Sequence, residues 1–193
     1  MRKSVLLVLC ALSLTLAFKG WAEEEENEGN EHNGERSESR KLINTPLVMN
    51  SKFKTDCTSC HMAYPPGLLP ERSWTKMMGS LDKHFGEDAS LDEKTRKEIL
   101  DFLVKNSSDH SNSRRSEKIL STINKSDAPL RISETSYFIR KHDEISANVY
   151  KRKAIGSKAN CLACHSGAES GNFNEHEVRI PKASDSPVKS KKK

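Results

Sequence analysis

Cys57-Thr58-Ser59-Cys60-His61 and Cys161-Leu162-Ala163-Cys164-His165 are two copies of one string, Cys-x-x-Cys-His, set far apart in a 193-residue chain. Two thiols at this spacing add to the two vinyl groups of a porphyrin, and the histidine that follows is held beneath the ring, where its imidazole ligates the iron. Each string attaches one c-type haem and supplies one axial ligand. The chain is therefore expected to carry two covalent haems, on Cys57 and Cys60 and on Cys161 and Cys164, with His61 and His165 as proximal ligands. Redox dithiols and zinc sites also use Cys-x-x-Cys. A redox dithiol needs no following histidine and accompanies a βαβ pattern, of which there is no trace here. One zinc shared by the two pairs leaves the histidine repeated at each string unexplained. Of five cysteines, only Cys10 lies outside the strings, and it falls in a leader.

That leader sets the compartment. Arg2 and Lys3 precede an apolar run from Val5 to Phe18, and Gly20-Trp21-Ala22 offers the small residues a signal peptidase reads. Residues 1–22 are expected to be a cleaved signal peptide and the mature protein periplasmic, in agreement with the attachment of c-type haem outside the bacterial cytoplasm. The run is short for a membrane span, so stable insertion is not expected after cleavage. Cleavage takes Arg2, Lys3 and Lys19 from the 32 basic residues and none from the 27 acidic ones. The formal charge of +5 then falls close to zero, and nothing in the overall charge calls for nucleic acid.

Composition divides the rest. Residues 23–46 open with Glu23-Glu24-Glu25-Glu26 and are acidic and nearly free of apolar side chains. Residues 182–193 end in Lys191-Lys192-Lys193. Both read as disordered tails, because neither buries enough surface to offset the entropy of ordering. A polar dip at Asn106 to Ser113 splits the remainder into two lobes, residues 47–108 and 109–181, each holding one haem string. A unit below about 70 to 80 residues rarely builds a sufficient core from side chains alone. The haem completes each core, its faces supplying apolar area and its thioether and iron bonds acting as staples.

The fold is expected to be mostly α, with two small haem-centred lobes, the second irregular. Trp74, Met77, Met78, Leu81 and Phe85 recur at helical spacing and predict a helix over about residues 73–84, ending before Gly86. Ser90 and Glu93 form a capping box for a second helix bearing Ile99, Phe102 and Leu103. Met62 to Pro70, with three prolines and a glycine, demands a loop. Further on, Ile119, Leu120 and Ile123 mark a short helix, and Phe138, His142, Ile145 and Val149 share one face of another.

Each iron also needs a ligand on its other face. Of seven histidines, His32 and His110 lie in polar stretches and His176 follows the second string too closely for an easy approach. His84 and His142 each end or line an apolar helical face in its own lobe, so they are the candidate distal ligands. Met77 and Met78 compete for the first iron but are already accounted for by an apolar stripe. The second lobe contains no methionine from His110 onward.

The run Cys57 to Pro70, the segment Ser73-Trp74-Thr75-Lys76-Met77-Met78-Gly79-Ser80-Leu81-Asp82-Lys83-His84-Phe85-Gly86, Arg131-Ile132, His142-Asp143-Glu144-Ile145 and the second string closely resemble the small periplasmic dihaem cytochromes c of proteobacteria. The resemblance spans about residues 47–181. It implies bis-histidine ligation, with His61 and His84 on haem 1 and His165 and His142 on haem 2, although a crossed pairing is compatible with closely packed lobes. It also implies a first lobe like a monohaem cytochrome c domain. The partners it implies are redox proteins, an oxygen-binding monohaem cytochrome c or a membrane cytochrome b. The expected function is electron transfer without enzymatic chemistry. The competing readings are a haem enzyme, such as a dihaem peroxidase or reductase, which needs one open or labile site, and the small dihaem subunit of a periplasmic nitrate reductase. Arg72, Arg131, Arg140 and Arg179 are candidates for pairing with haem propionates.

Overall fold

The computed structural model describes residues 50–186. The leader and the acidic tail lie outside the described residues, as does most of the basic tail. Among the described residues there are no strands. Six α-helices run in order: α1 (Ser51–Cys57), α2 (Glu71–Met78), α3 (Glu93–Lys105), α4 (Arg114–Leu120), α5 (Ser136–Lys141) and α6 (Ala147–Tyr150). One 3₁₀ turn lies in each of the α1–α2, α2–α3 and α4–α5 connections and three follow α6, so the architecture is helical but largely turn-built after α4.

The first half has a side-chain core. Phe53 of α1, Ala63 and Leu69 of the Pro-rich loop, Trp74 and Met78 of α2, and Ile99 and Leu103 of α3 are buried together. Met78 is core and Met77 packs against it, as the apolar stripe implies. The loop is fastened to α2 through the Trp74 indole, whose Nε1–H donates to the Pro66 carbonyl at 2.8 Å. Trp74→Ala is expected to destabilise the holoprotein by about 3–5 kcal/mol, the usual range for emptying a buried aromatic site. Trp74→Phe should cost less, roughly 1–3 kcal/mol for the carbonyl left unpaired. Denaturant unfolding of the three proteins measures both.

Two helices differ from the expectation. The helix expected to reach His84 stops at Met78, because Gly79 caps it and the Ser80 hydroxyl donates back to the carbonyls of Lys76 and Met77. Glycine is unfavourable in a helix interior, and a serine that bonds its own backbone offers an alternative to continuing it. Asp92, not Ser90, caps α3, accepting from the Thr95 amide at 3.0 Å. Ser90 instead donates its amide to Asp88 in the preceding turn.

The Pro-rich loop is the seam between the two halves. Its 3₁₀ turn Pro66–Leu68 lies against α4, and a Cβ on Gly67 would sit 2.6 Å from the Ser116 hydroxyl, so any larger residue there would force Ser116 to move. Leu69 accepts from the Ser108 amide at 3.0 Å. Arg72 reaches across to the backbone carbonyls of Asn124 and Asp127 and faces Asp109 at 3.8 Å. Arg72 is thus occupied as a cross-link between segments, which corrects its place among the propionate candidates.

Candidate functional site

The first string begins where α1 ends. Asn50 caps the helix by accepting from the Phe53 amide, and Cys57 is its last residue, half-buried, with Cys60 and His61 on the following turn. The His61 Nδ1 lies 2.7 Å from the Met62 carbonyl. A carbonyl can only accept, so Nδ1 carries the hydrogen and Nε2 keeps its lone pair for a metal. Such a bond fixes both tautomer and ring orientation.

His84 is presented by a different device. It follows the 3₁₀ turn Leu81–Lys83 and opens a tight reversal in which Phe85 has φ 54° and Gly86 φ 104°. Two consecutive left-handed residues are the pattern of a type I′ turn. For a phenylalanine that conformation costs on the order of 1 kcal/mol or more, and strain of this kind gathers at sites that must be held in one geometry. The Phe85 ring meets the His84 ring edge-on at 4.9 Å, and the Arg131 guanidinium lies 4.1 Å over Phe85.

The second string forms the 3₁₀ turn Cys161–Ala163, closed by the His165 amide donating to the Cys161 carbonyl at 2.8 Å. Opposite it stands His142. The sequence pattern predicts one helix running through His142 to Val149; the chain instead leaves the helix at His142 and starts α6 afresh at Ala147. The His142 amide bonds the Ile139 carbonyl, three residues back, which frees the Phe138 carbonyl for the His142 ring Nδ1 at 2.9 Å. The ring also stacks on Phe138 at 3.9 Å with 14° between planes. The imidazole therefore caps its own helix and turns Nε2 outward.

These placements bring the histidines together in pairs. The His61 and His84 ring centroids are 6.1 Å apart and the planes meet at 32°. The His142 and His165 centroids are also 6.1 Å apart, with planes at 76°. Two imidazoles bound trans to one metal, each nitrogen about 2.0 Å from it and about 1.1 Å from its own ring centre, have centroids roughly 6 Å apart. The pairs, His84 facing His61 and His142 facing His165, have the spacing that an iron between two imidazoles would need. His110 is instead paired with Glu71 at 3.0 Å, His176 is exposed on a turn, and His32 lies outside the described residues.

Burial supports neutral ligands. It holds the His84 and His165 imidazoles below their ordinary range, helped by His61 in the first case and by His142 and Arg115 in the second. Burial also pushes the Cys57 and Cys161 thiols up to about 11. A redox dithiol or a zinc thiolate needs the opposite shift, and among the described residues no three His, Cys, Asp or Glu side chains converge as an ion's ligand set.

Three residues stand at the sites without having been singled out from the sequence. Tyr64 lies 5.0 Å from the His61 ring, its phenol pushed up to about 12 by burial and then by Cys161. Phe173 meets the His165 ring edge-on at 5.4 Å. Arg115 sits 5.2 Å over Phe173 and donates to the Gly171 and Phe173 carbonyls. Tyr64 and Phe173 lie three and eight residues beyond the histidines they touch, so nearness to the strings was the signal for both; Arg115 reaches Phe173 across 58 positions and left none.

A small helical chain with two Cys-x-x-Cys-His turns, each facing a second imidazole, is a c-type cytochrome with two haem sites. It belongs to the dihaem cytochrome c family, whose model matches residues 53–173. It is similar to the diheme cytochrome c from Rhodobacter sphaeroides, 49% identical over 65% of this chain and 98% of that one, with a TM-score of 0.59. It is also similar to the diheme cytochrome type c from Shewanella baltica OS155, 36% identical over 68% of this chain and 93% of the other, with a TM-score of 0.56. No curated protein matches it. The chain therefore carries two covalently bound haem c groups and is a haem electron-transfer protein.

Proposed function

We propose that the protein is a periplasmic electron relay that passes single electrons through two bis-histidine haems to a partner redox protein. In this reading residues 1–22 are a signal peptide, residues 47–108 hold haem 1 and residues 109–181 hold haem 2. Haem 1 is attached through Cys57 and Cys60 with His61 and His84 on its iron. Haem 2 is attached through Cys161 and Cys164 with His165 and His142.

The observation that carries the reading is the recurrence of two facing imidazoles at 6.1 Å, with the Nδ1 of His61 and of His142 committed to a carbonyl. An iron held on both faces has no vacant position for a substrate, and histidine in place of methionine keeps the potential low. Such a centre donates electrons without activating a ligand. Among the described residues no helix is long and apolar enough to cross a membrane.

The test is kinetic and spectroscopic. The ferric and ferrous holoprotein should be low-spin and bind no carbon monoxide, and the ferrous form should reduce a second haem protein rapidly at low salt. Raising the salt should slow that reaction, since exposed steering charges are screened beyond about 8 to 10 Å at physiological ionic strength. Rapid turnover of peroxide or nitrite by the isolated protein would overturn the proposal in favour of a haem enzyme.

A further inference from the structure

Tyr64 touches both halves of the electron path. On one side its ring lies 5.0 Å from the His61 ring, tilted by 33°. On the other its hydroxyl donates to the Ala159 carbonyl at 2.8 Å, across 95 positions of sequence. That same carbonyl accepts from the Cys161 amide at 3.0 Å. The residues thus form an unbroken chain of contacts: His61 imidazole, Tyr64 ring and hydroxyl, Ala159 carbonyl, Cys161 amide. One end is the proximal histidine of the first string and the other is the first attachment cysteine of the second.

The loop that holds Tyr64 has little freedom. Pro65 and Pro66 follow it directly and are buried, and the Pro66 carbonyl is pinned by the Trp74 indole. The Pro65 ring is 4.0 Å from where a Cβ on Gly171 would lie, so the same loop also abuts the segment after the second string. Fixed φ at two successive prolines removes the slack a longer polar loop would have. A tyrosine placed by such a loop transmits the position of one string to the other.

We propose that Tyr64 couples the two haem centres, holding the second attachment segment against the first proximal ligand and supplying the contact path for electron exchange between the irons. This rests on the electron-relay reading above. In the exchange one iron goes from ferrous to ferric and the other from ferric to ferrous. No proton moves, and the phenol ends in the state in which it began. Tyr64 is a positioning residue, acting through His61 and Cys161 and not on a substrate.

The experiment uses the half-reduced holoprotein and follows exchange between haem-methyl proton resonances at two protein concentrations. The part that does not depend on concentration is the intramolecular rate. Tyr64→Phe keeps the ring beside His61 and cuts the link to Ala159, and should slow that rate several-fold with both haems still attached and low-spin. Tyr64→Leu removes the ring as well and should slow it further. A lowered unfolding temperature in both variants with an unchanged intramolecular rate would assign Tyr64 a purely structural role and overturn the inference, leaving the relay reading standing. Absence of intramolecular exchange in the unaltered protein would overturn the relay reading and this inference together.

Discussion

In the His142→Ala holoprotein, half of the haem should become five-coordinate and high-spin and bind carbon monoxide stoichiometrically when ferrous, while the other half stays low-spin. His84→Ala should do the same to the other haem. The effect should be complete for the affected iron because, among the described residues, the other candidates are engaged elsewhere: His110 is paired with Glu71, Met78 is locked into the core with Met77 packed against it, and His176 sits on an exposed turn. Which haem is affected can be read by electron paramagnetic resonance. Imidazole planes near parallel split the iron dπ orbitals, whereas planes near perpendicular leave them almost degenerate, so ligand pairs at 32° and 76° should give two distinct ferric signals. His142→Ala should abolish the signal of the near-perpendicular pair and spare the other. If both irons remain low-spin in either variant, the assignment of that histidine is wrong.

What could be read from the sequence was the chemistry that is local in the chain. Cys57 to His61 and Cys161 to His165 carry their meaning in five consecutive residues, and any fold that keeps them intact attaches a haem. His84 and His142 stand out for a weaker reason, an apolar helical face in a segment already owing a ligand, and their rings face those of His61 and His165 at 6.1 Å. The supports of those faces were misread. The helix expected to reach His84 ends at Gly79, and His142 is presented by the end of α5 instead of its interior. Apolar periodicity cannot distinguish a histidine inside a helix from one that closes it, because both put the ring four residues from Phe138. Capping is decided by which donor takes the Phe138 carbonyl, and here the side chain outcompetes the backbone. Tyr64 and Arg115 escape notice, and Arg72 is given the wrong partner, for another reason. Their partners are 95, 58 and 55 positions away, and a single sequence holds no record of which distant segments meet.

Replacing both Cys161 and Cys164 with alanine should yield an exported protein whose mass includes one haem, and whose two halves respond very differently. The first half keeps a side-chain core of Phe53, Ala63, Leu69, Trp74, Met78, Ile99 and Leu103. Among the described residues from 109 onward the buried apolar ones are Ile119, Ala154, Ile155, Ala163 and Ala168, three of them alanines with little area to contribute. At about 25 cal/mol per Å² of apolar surface removed from water, such a set cannot offset the ordering entropy of the segment. The haem and its staples supply what is missing, so its loss should leave residues 109–181 open to proteolysis while haem 1 remains low-spin. The converse change, Cys57→Ala with Cys60→Ala, should also remove one haem but leave α2 and α3 protected, because their packing does not depend on it. In the one-haem protein from the first experiment, adding His84→Ala should open a carbon monoxide site, whereas adding His142→Ala should change nothing. The reverse pattern would mean that the two distal ligands are crossed between the haems.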